Sequence, residues 1–253
     1  MTDLFSLAGK TALVTGGAQG LGRMIAQGLI NAGARVYITS RKADICKAAA
    51  DEMGAIALPG DAGSPEGIAD LAARFRAAGE TALHILVNNA GRTWGAPLES
   101  FPDKAWPGVM AVNVQAPFRI LQELLAELEA AGTADDPARI INIGSIVGNV
   151  VTDLNAYSYT ASKAAIHHLS KQLANDLVGR NINVNILAPG YFPTSMTAHL
   201  RDDPDAALEK KIPMRRLGKP EDISGAIVFL SSRAGAYVTG IELPVDGGIL
   251  GCR

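Results

Sequence analysis

The chain has only two cysteines in 253 residues, Cys46 and Cys252. They lie far apart, without metal-like spacing, so neither a disulfide framework nor a zinc site is expected. Two free thiols in a reducing cytoplasm is the reading. Long apolar runs are missing too. No stretch approaches the ~18 residues of a spanning helix, and the opening MTDLFSLAGK lacks the basic leader and apolar run of a secretory signal. Neither charge dominates: 23 Lys and Arg face 25 Asp and Glu, for a net charge of −2. A nucleic-acid-binding surface is therefore not expected. The four histidines, His84, His167, His168 and His199, form no ligand set, because adjacent His167 and His168 point in different directions on a helix. No metal is expected. What remains is ordinary globular composition, 48% hydrophobic and 19% charged, in a chain long enough for one large α/β domain.

Short β-rich runs alternate with longer helical patterns. Strands are expected at 10–15, 35–40, 55–58, 84–89, 139–145, 182–188 and 240–245, and helices at 21–32, 42–53, 65–78, 103–131, 158–178 and 220–231. Most strand segments are apolar throughout, as suits strands covered on both faces. Strand–helix alternation implies a parallel sheet with right-handed crossovers. Neither a linker nor a repeat interrupts the pattern, so residues 1–253 are read as a single domain. Residues 193–215 are the least regular part, either a substrate flap or a solvated loop.

In LVTGGAQGLGRMIAQGL, Gly16, Gly20 and Gly22 close the first strand and open the first helix. Glycine permits the sharp turn and lets backbone approach a pyrophosphate, which the helix N-terminus attracts. The second strand ends in Ser40, Arg41 and Lys42 rather than in the acidic residue that grips a ribose 2′-hydroxyl. A guanidinium suits a 2′-phosphate, so the dinucleotide is read as NADP(H). Asp61 after the third strand could accept from an adenine amino group, cap the helix that begins near Ser64, or do both.

TGGAQGLG (15–22), NNAG (88–91), Asn113, Ser145, YTASK (159–163), PG (189–190) and DGG (246–248) occur in the order and spacing of the short-chain dehydrogenase/reductase family. The texture is similar to bacterial 3-oxoacyl-thioester reductases. The resemblance implies a doubly wound parallel seven-stranded sheet of Rossmann type, with helices on both faces, and a homotetramer.

Two tyrosines compete for the acid–base role. Tyr159 and Lys163 are i and i+4, about 40° apart on one helical face, whereas Tyr157 and Lys163 are roughly 240° apart. Geometry selects Tyr159. A nearby ammonium is expected to lower the phenol's pKa from ~10. By resemblance, Lys163 also bonds the cofactor ribose, Ser145 bonds the substrate oxygen, and Asn113 holds a water in a relay to the lysine. Resemblance likewise puts Gln19, Leu21, Ala62, Asn88, Ala90, Gly91, Pro189, Gly190 and Thr194 at the cofactor.

Candidate substrate walls are Trp94, Ile146, Val147, Asn149, Leu154, Tyr157, Tyr191, Phe192 and Met196. Trp94 could equally be packing, and Tyr157 could face a neighbouring subunit. A mostly apolar pocket favours acyl chains or ketones over sugars. The expected substrate is a small-molecule carbonyl or acyl thioester. The basic run 209–219 could meet an acyl carrier protein or be a solvated face. The leading expectation is an NADPH-dependent reductase of 3-oxoacyl thioesters. Alternatives are a dehydrogenase of secondary alcohols or cyclic ketones, and a dinucleotide sensor, which would not need the Tyr–Lys pair.

Overall fold

The computed structural model describes residues 4–194 and 208–252. Seven parallel strands form one sheet in the order β3-β2-β1-β4-β5-β6-β7. They are β1 (Thr11–Val14), β2 (Arg35–Ile38), β3 (Ile56–Ala57), β4 (Ile85–Asn88), β5 (Ala138–Ile143), β6 (Ile182–Pro189) and β7 (Glu242–Val245). The helices are α1 (Gly20–Asn31), α2 (Ala43–Met53), α3 (Pro65–Ala77), α4 (Ala105–Met110), α5 (Ala116–Glu123), α6 (Leu125–Ala131), α7 (Tyr157–Leu177) and α8 (Pro220–Ser231). Strand order reverses between β1 and β4, which makes the sheet doubly wound and opens a crevice at the carboxyl ends of these strands.

Alternation along each strand divides the core into two layers. Ala12, Val14, Val36 and Ile38 face Ile25 and Leu29 of α1, Ala49 and Met53 of α2, and Ile223 and Ile227 of α8. Leu13, Tyr37, Leu86 and Ile140 face Leu71 and Phe75 of α3, Ile120 of α5, Leu128 of α6 and Leu173 of α7. Burial on both faces explains why most of the strands read as largely apolar runs.

One expected element differs. The single helix at 103–131 is three helices, with a wider π-type turn at Ala111–Gln115 between α4 and α5. Proline is the physical reason for the first break. Pro117 lies in the first turn of α5 and has no N–H to return to the Asn113 carbonyl four residues earlier. The break between α5 and α6 falls at buried Leu124, whose backbone leaves the helical range at φ −111° and ψ 16°.

Of the irregular stretch 193–215, residues 195–207 lie outside the described residues. The remainder makes a short helical turn at Leu208–Lys211, then buries Ile212. No helix among the described residues is long and apolar enough to cross a membrane.

Candidate active site

The crevice is a cleft of about 880 Å³. Its floor at one end is the turn between β1 and α1. Gly16 adopts φ +64° there, a left-handed conformation that suits glycine. A Cβ on Gly22 would collide with the Gly16 carbonyl and the Asn89 side chain. This bare backbone, opening a helix N-terminus into a cleft, fits a pyrophosphate. Asn89 was not singled out from the sequence although NNAG contains it. Its Nδ2 donates to the carbonyls of Thr15 (2.9 Å) and Gly16 (3.2 Å), so it holds the turn in shape.

Most of the expected cofactor residues line the cleft: Gly16, Gln19, Gly20, Leu21, Gly22, Ser40, Arg41, Asp61, Ala62, Ala90, Gly91, Pro189, Gly190 and Thr194. Two do not. Lys42 lies just outside, as the exposed residue that precedes α2. Asn88 points into the sheet rather than the cleft. Its Nδ2 donates to Asn142 Oδ1 at 2.8 Å, and Asn142 Nδ2 donates to Ser170 Oγ at 2.8 Å, tying β4 to β5 and α7. Asp61 accepts the Gly63 N–H at 2.9 Å. The cap of α3 is Ser64 instead, which accepts the Gly67 N–H at 3.1 Å.

At the other end of the cleft stand Ser145, Tyr159 and Lys163. Ser145 follows the end of β5, while Tyr159 and Lys163 are one turn apart on α7. Tyr157 is directed elsewhere. Its ring meets Phe101 edge-on at 5.2 Å between centroids. The Tyr159 phenol and the Ser145 hydroxyl face the same end of the cleft, near enough for the serine to act on the phenol's pKa. Lys163 is buried, and its Nζ lies 5.6 Å from the Tyr159 ring centre and donates to the Ile143 carbonyl at 2.7 Å.

The electrostatics correct one expectation. Burial pushes the Tyr159 phenol above its ordinary pKa, and the neighbouring Ser145 hydroxyl only partly opposes this. The lysine's charge does not outweigh that burial. Instead burial acts on the lysine, bringing Lys163 down to about 8. At neutral pH the phenol is therefore a protonated donor, beside an ammonium that releases its proton easily.

Asn113 stands on the π-type turn between α4 and α5. Its side chain does not line the cleft. Its Oδ1 accepts the Arg92 N–H at 2.8 Å, and its Nδ2 donates to the Arg92 carbonyl and Ser162 Oγ, each at 2.9 Å. Asn113 thereby fixes the loop after β4. Pro117 cannot return an N–H to the Asn113 main-chain carbonyl.

The substrate end is apolar in part. Ile146, Val147, Leu154, Tyr191 and Phe192 line it. Ile146 and Val147 cluster with Ile212 and Ile249, and Leu154, Tyr159 and Tyr191 pack against them. Trp94 does not line the cleft and lies under the Lys104 ammonium, 5.7 Å from its ring centre. Asn149 turns outward and bonds Glu242. Met196 lies outside the described residues. Polar residues that sequence reasoning passed over, Arg92, Thr93, Asp153 and Asn155, join the apolar wall. No pattern distinguished these loop residues from solvated ones. Among the described residues, no three His, Cys, Asp or Glu side chains are grouped to hold a metal.

Residues 16–250 match the family model described as enoyl-(acyl carrier protein) reductase. The chain belongs to the short-chain dehydrogenase/reductase family. Within it, the chain is 49% identical to the rhamnolipids biosynthesis 3-oxoacyl-[acyl-carrier-protein] reductase of Pseudomonas aeruginosa, over 98% of this chain and 99% of that one. It is 37% identical to the 3-oxoacyl-[acyl-carrier-protein] reductase FabG of Escherichia coli, over 95% of this chain and 97% of the other. A solved structure, the RhlG/NADP active-site complex of Pseudomonas aeruginosa, superposes with a TM-score of 0.95 at 47% identity. The match covers 98% of this chain and 99% of that one.

Proposed function

We propose that this chain is an NADPH-dependent carbonyl reductase whose substrate is a 3-oxoacyl thioester. One observation carries the reading: the Ser145–Tyr159–Lys163 group shares a single cleft with a glycine turn and Arg41. The glycine turn would hold the pyrophosphate of NADPH and Arg41 its 2′-phosphate, through charge-assisted hydrogen bonds. When bound, NADPH supplies the hydride.

The chain's own residues supply the proton and the alignment. Tyr159 Oη donates its proton to the ketone oxygen, a step favoured by burial keeping the phenol protonated. Ser145 Oγ bonds the same oxygen and fixes its direction toward the phenol. Lys163 returns a proton toward Tyr159, and its depressed pKa suits it to that exchange near neutrality. We assign the relay's solvent to the Asn113 carbonyl.

The apolar wall of Ile146, Val147, Leu154 and Phe192 supports an acyl chain as substrate. Likeness to the two 3-oxoacyl-[acyl-carrier-protein] reductases supports a thioester. On this reading an acyl carrier protein delivers the substrate, one domain carries both ligands, and the family's tetramer is the working assembly. The test is NADPH oxidation against a panel of 3-oxoacyl thioesters, cyclic ketones and sugar ketones. The thioesters should give the highest kcat/KM by at least about tenfold. A sugar ketone or cyclic ketone in first place would overturn the substrate assignment.

A further inference from the structure

We propose that His167, set by Glu242, is a positioning residue for the reduction: by accepting the Ser145 backbone N–H it holds the serine hydroxyl in place. The inference rests on the reading of Ser145 given above.

Tyr159, Lys163 and His167 recur every four residues, so they form one stripe along α7. The first two enter the cleft. His167 continues the stripe into the protein and is only 4% exposed. The Ser145 N–H donates to its Nε2 at 3.2 Å. That bond requires Nε2 to carry no proton, so in the neutral ring the proton sits on Nδ1. Nδ1 lies 3.2 Å from Glu242 Oε2 of β7. This is a charge contact rather than an aligned hydrogen bond, yet a carboxylate there favours the Nδ1–H tautomer. Asn149 bonds the other carboxylate oxygen, which gives that residue a place in the arrangement although it misses the cleft.

The backbone around Ser145 is shaped to the ring. Gly144 and Gly148 bracket the loop, and a Cβ on either would come within 2.7 Å of a His167 ring carbon. The hydroxyl is held at its other end as well: Val147 N–H donates to Ser145 Oγ at 3.4 Å. His167 is thus the anchor of the serine's main chain.

Burial lowers the His167 pKa. Lys163 and Lys171 on its own helix act in the same direction, and Glu242 on β7 opposes them. The ring consequently stays an acceptor at working pH. Loss of the acceptor would leave the Ser145 N–H without its partner, and the turn would move to relieve it. A displacement of ~1 Å at a reacting centre can cost about a hundredfold in rate.

The experiment is a double-mutant cycle between His167→Leu and Ser145→Ala, read as kcat and as KM for NADPH. In the wild-type background, His167→Leu should lower kcat by about thirtyfold and leave the NADPH KM within about twofold. His167→Gln, whose Oε1 can accept the same N–H, should stay within about threefold of wild type. In the Ser145→Ala background, His167→Leu should cost less than about threefold more, because the group it positions is already gone. Equal losses in both backgrounds would show a general effect on the fold and overturn the proposal, as would an unchanged kcat in His167→Leu. If the leucine variant does not fold, His167→Asn, with an amide too short to reach, takes its place in the same cycle. Wild-type turnover by Ser145→Ala alone would instead overturn the reading of Ser145, and the proposal with it.

Discussion

Lys163 should make this protein more stable as pH rises above neutrality. Its ammonium is buried and held at a pKa of about 8, against an ordinary 10.5. Below pH 8 both the folded and the unfolded chain are protonated there, and the folded chain bears the full desolvation penalty. Between pH 8 and 10.5 the folded chain loses its proton first, so the unfolded chain binds more protons and stability climbs with pH. A difference of 10.5 − 8 = 2.5 units at 1.36 kcal/mol each is about 3 kcal/mol. Lys163→Met removes the titration while filling the same space. Other groups that titrate over this range cancel in the comparison of the two proteins. The assay is urea unfolding of both proteins without cofactor, at pH 7 through 10.5 and one fixed concentration. The wild-type curve should gain about 3 kcal/mol on the variant over that range, most of it above pH 8. A difference that stays flat within about 1 kcal/mol would refute the idea that burial holds this ammonium near its release point.

Two further outcomes follow from the cofactor end. Arg41→Ala should weaken NADPH binding by about ten- to a hundredfold, the worth of a charge-assisted phosphate contact. NADH binding should stay within about threefold, and fluorescence titration with each nucleotide reads both. Gly22→Ala places a methyl against the Gly16 carbonyl and Asn89. Displacement of the turn should loosen NADPH by about tenfold or more, at a stability cost of about 1–3 kcal/mol seen in thermal unfolding.

Much of this was legible in the chain itself, and for physical reasons. A doubly covered parallel strand is largely apolar on both sides, so the apolar runs announce most of the strands. The glycine turn is legible because close backbone approach excludes a side chain. Tyr159 could be told from Tyr157 because helical geometry is fixed by spacing alone. What spacing could not give is tertiary direction. Asn88 lies at the carboxyl edge of β4, yet its amide is turned toward Asn142 by the neighbouring strand. Trp94 sits in a loop, where no period governs which way a ring faces. The segment 103–131 has the apolar pattern of one helix, but Pro117 forbids an unbroken ladder of hydrogen bonds. The tie of His167 to Ser145 is invisible in the sequence because the two meet only when α7 lies against the end of β5.

The most direct test of the account is Tyr159→Phe, a change that removes one oxygen from the cleft. NADPH should bind it within about threefold of wild type, while reduction of a 3-oxoacyl thioester falls by about a hundred- to ten-thousandfold, the worth of a positioned general acid. Turnover retained within about tenfold of wild type would show that the proton comes from another group, and the assignment of this cleft's chemistry would fail.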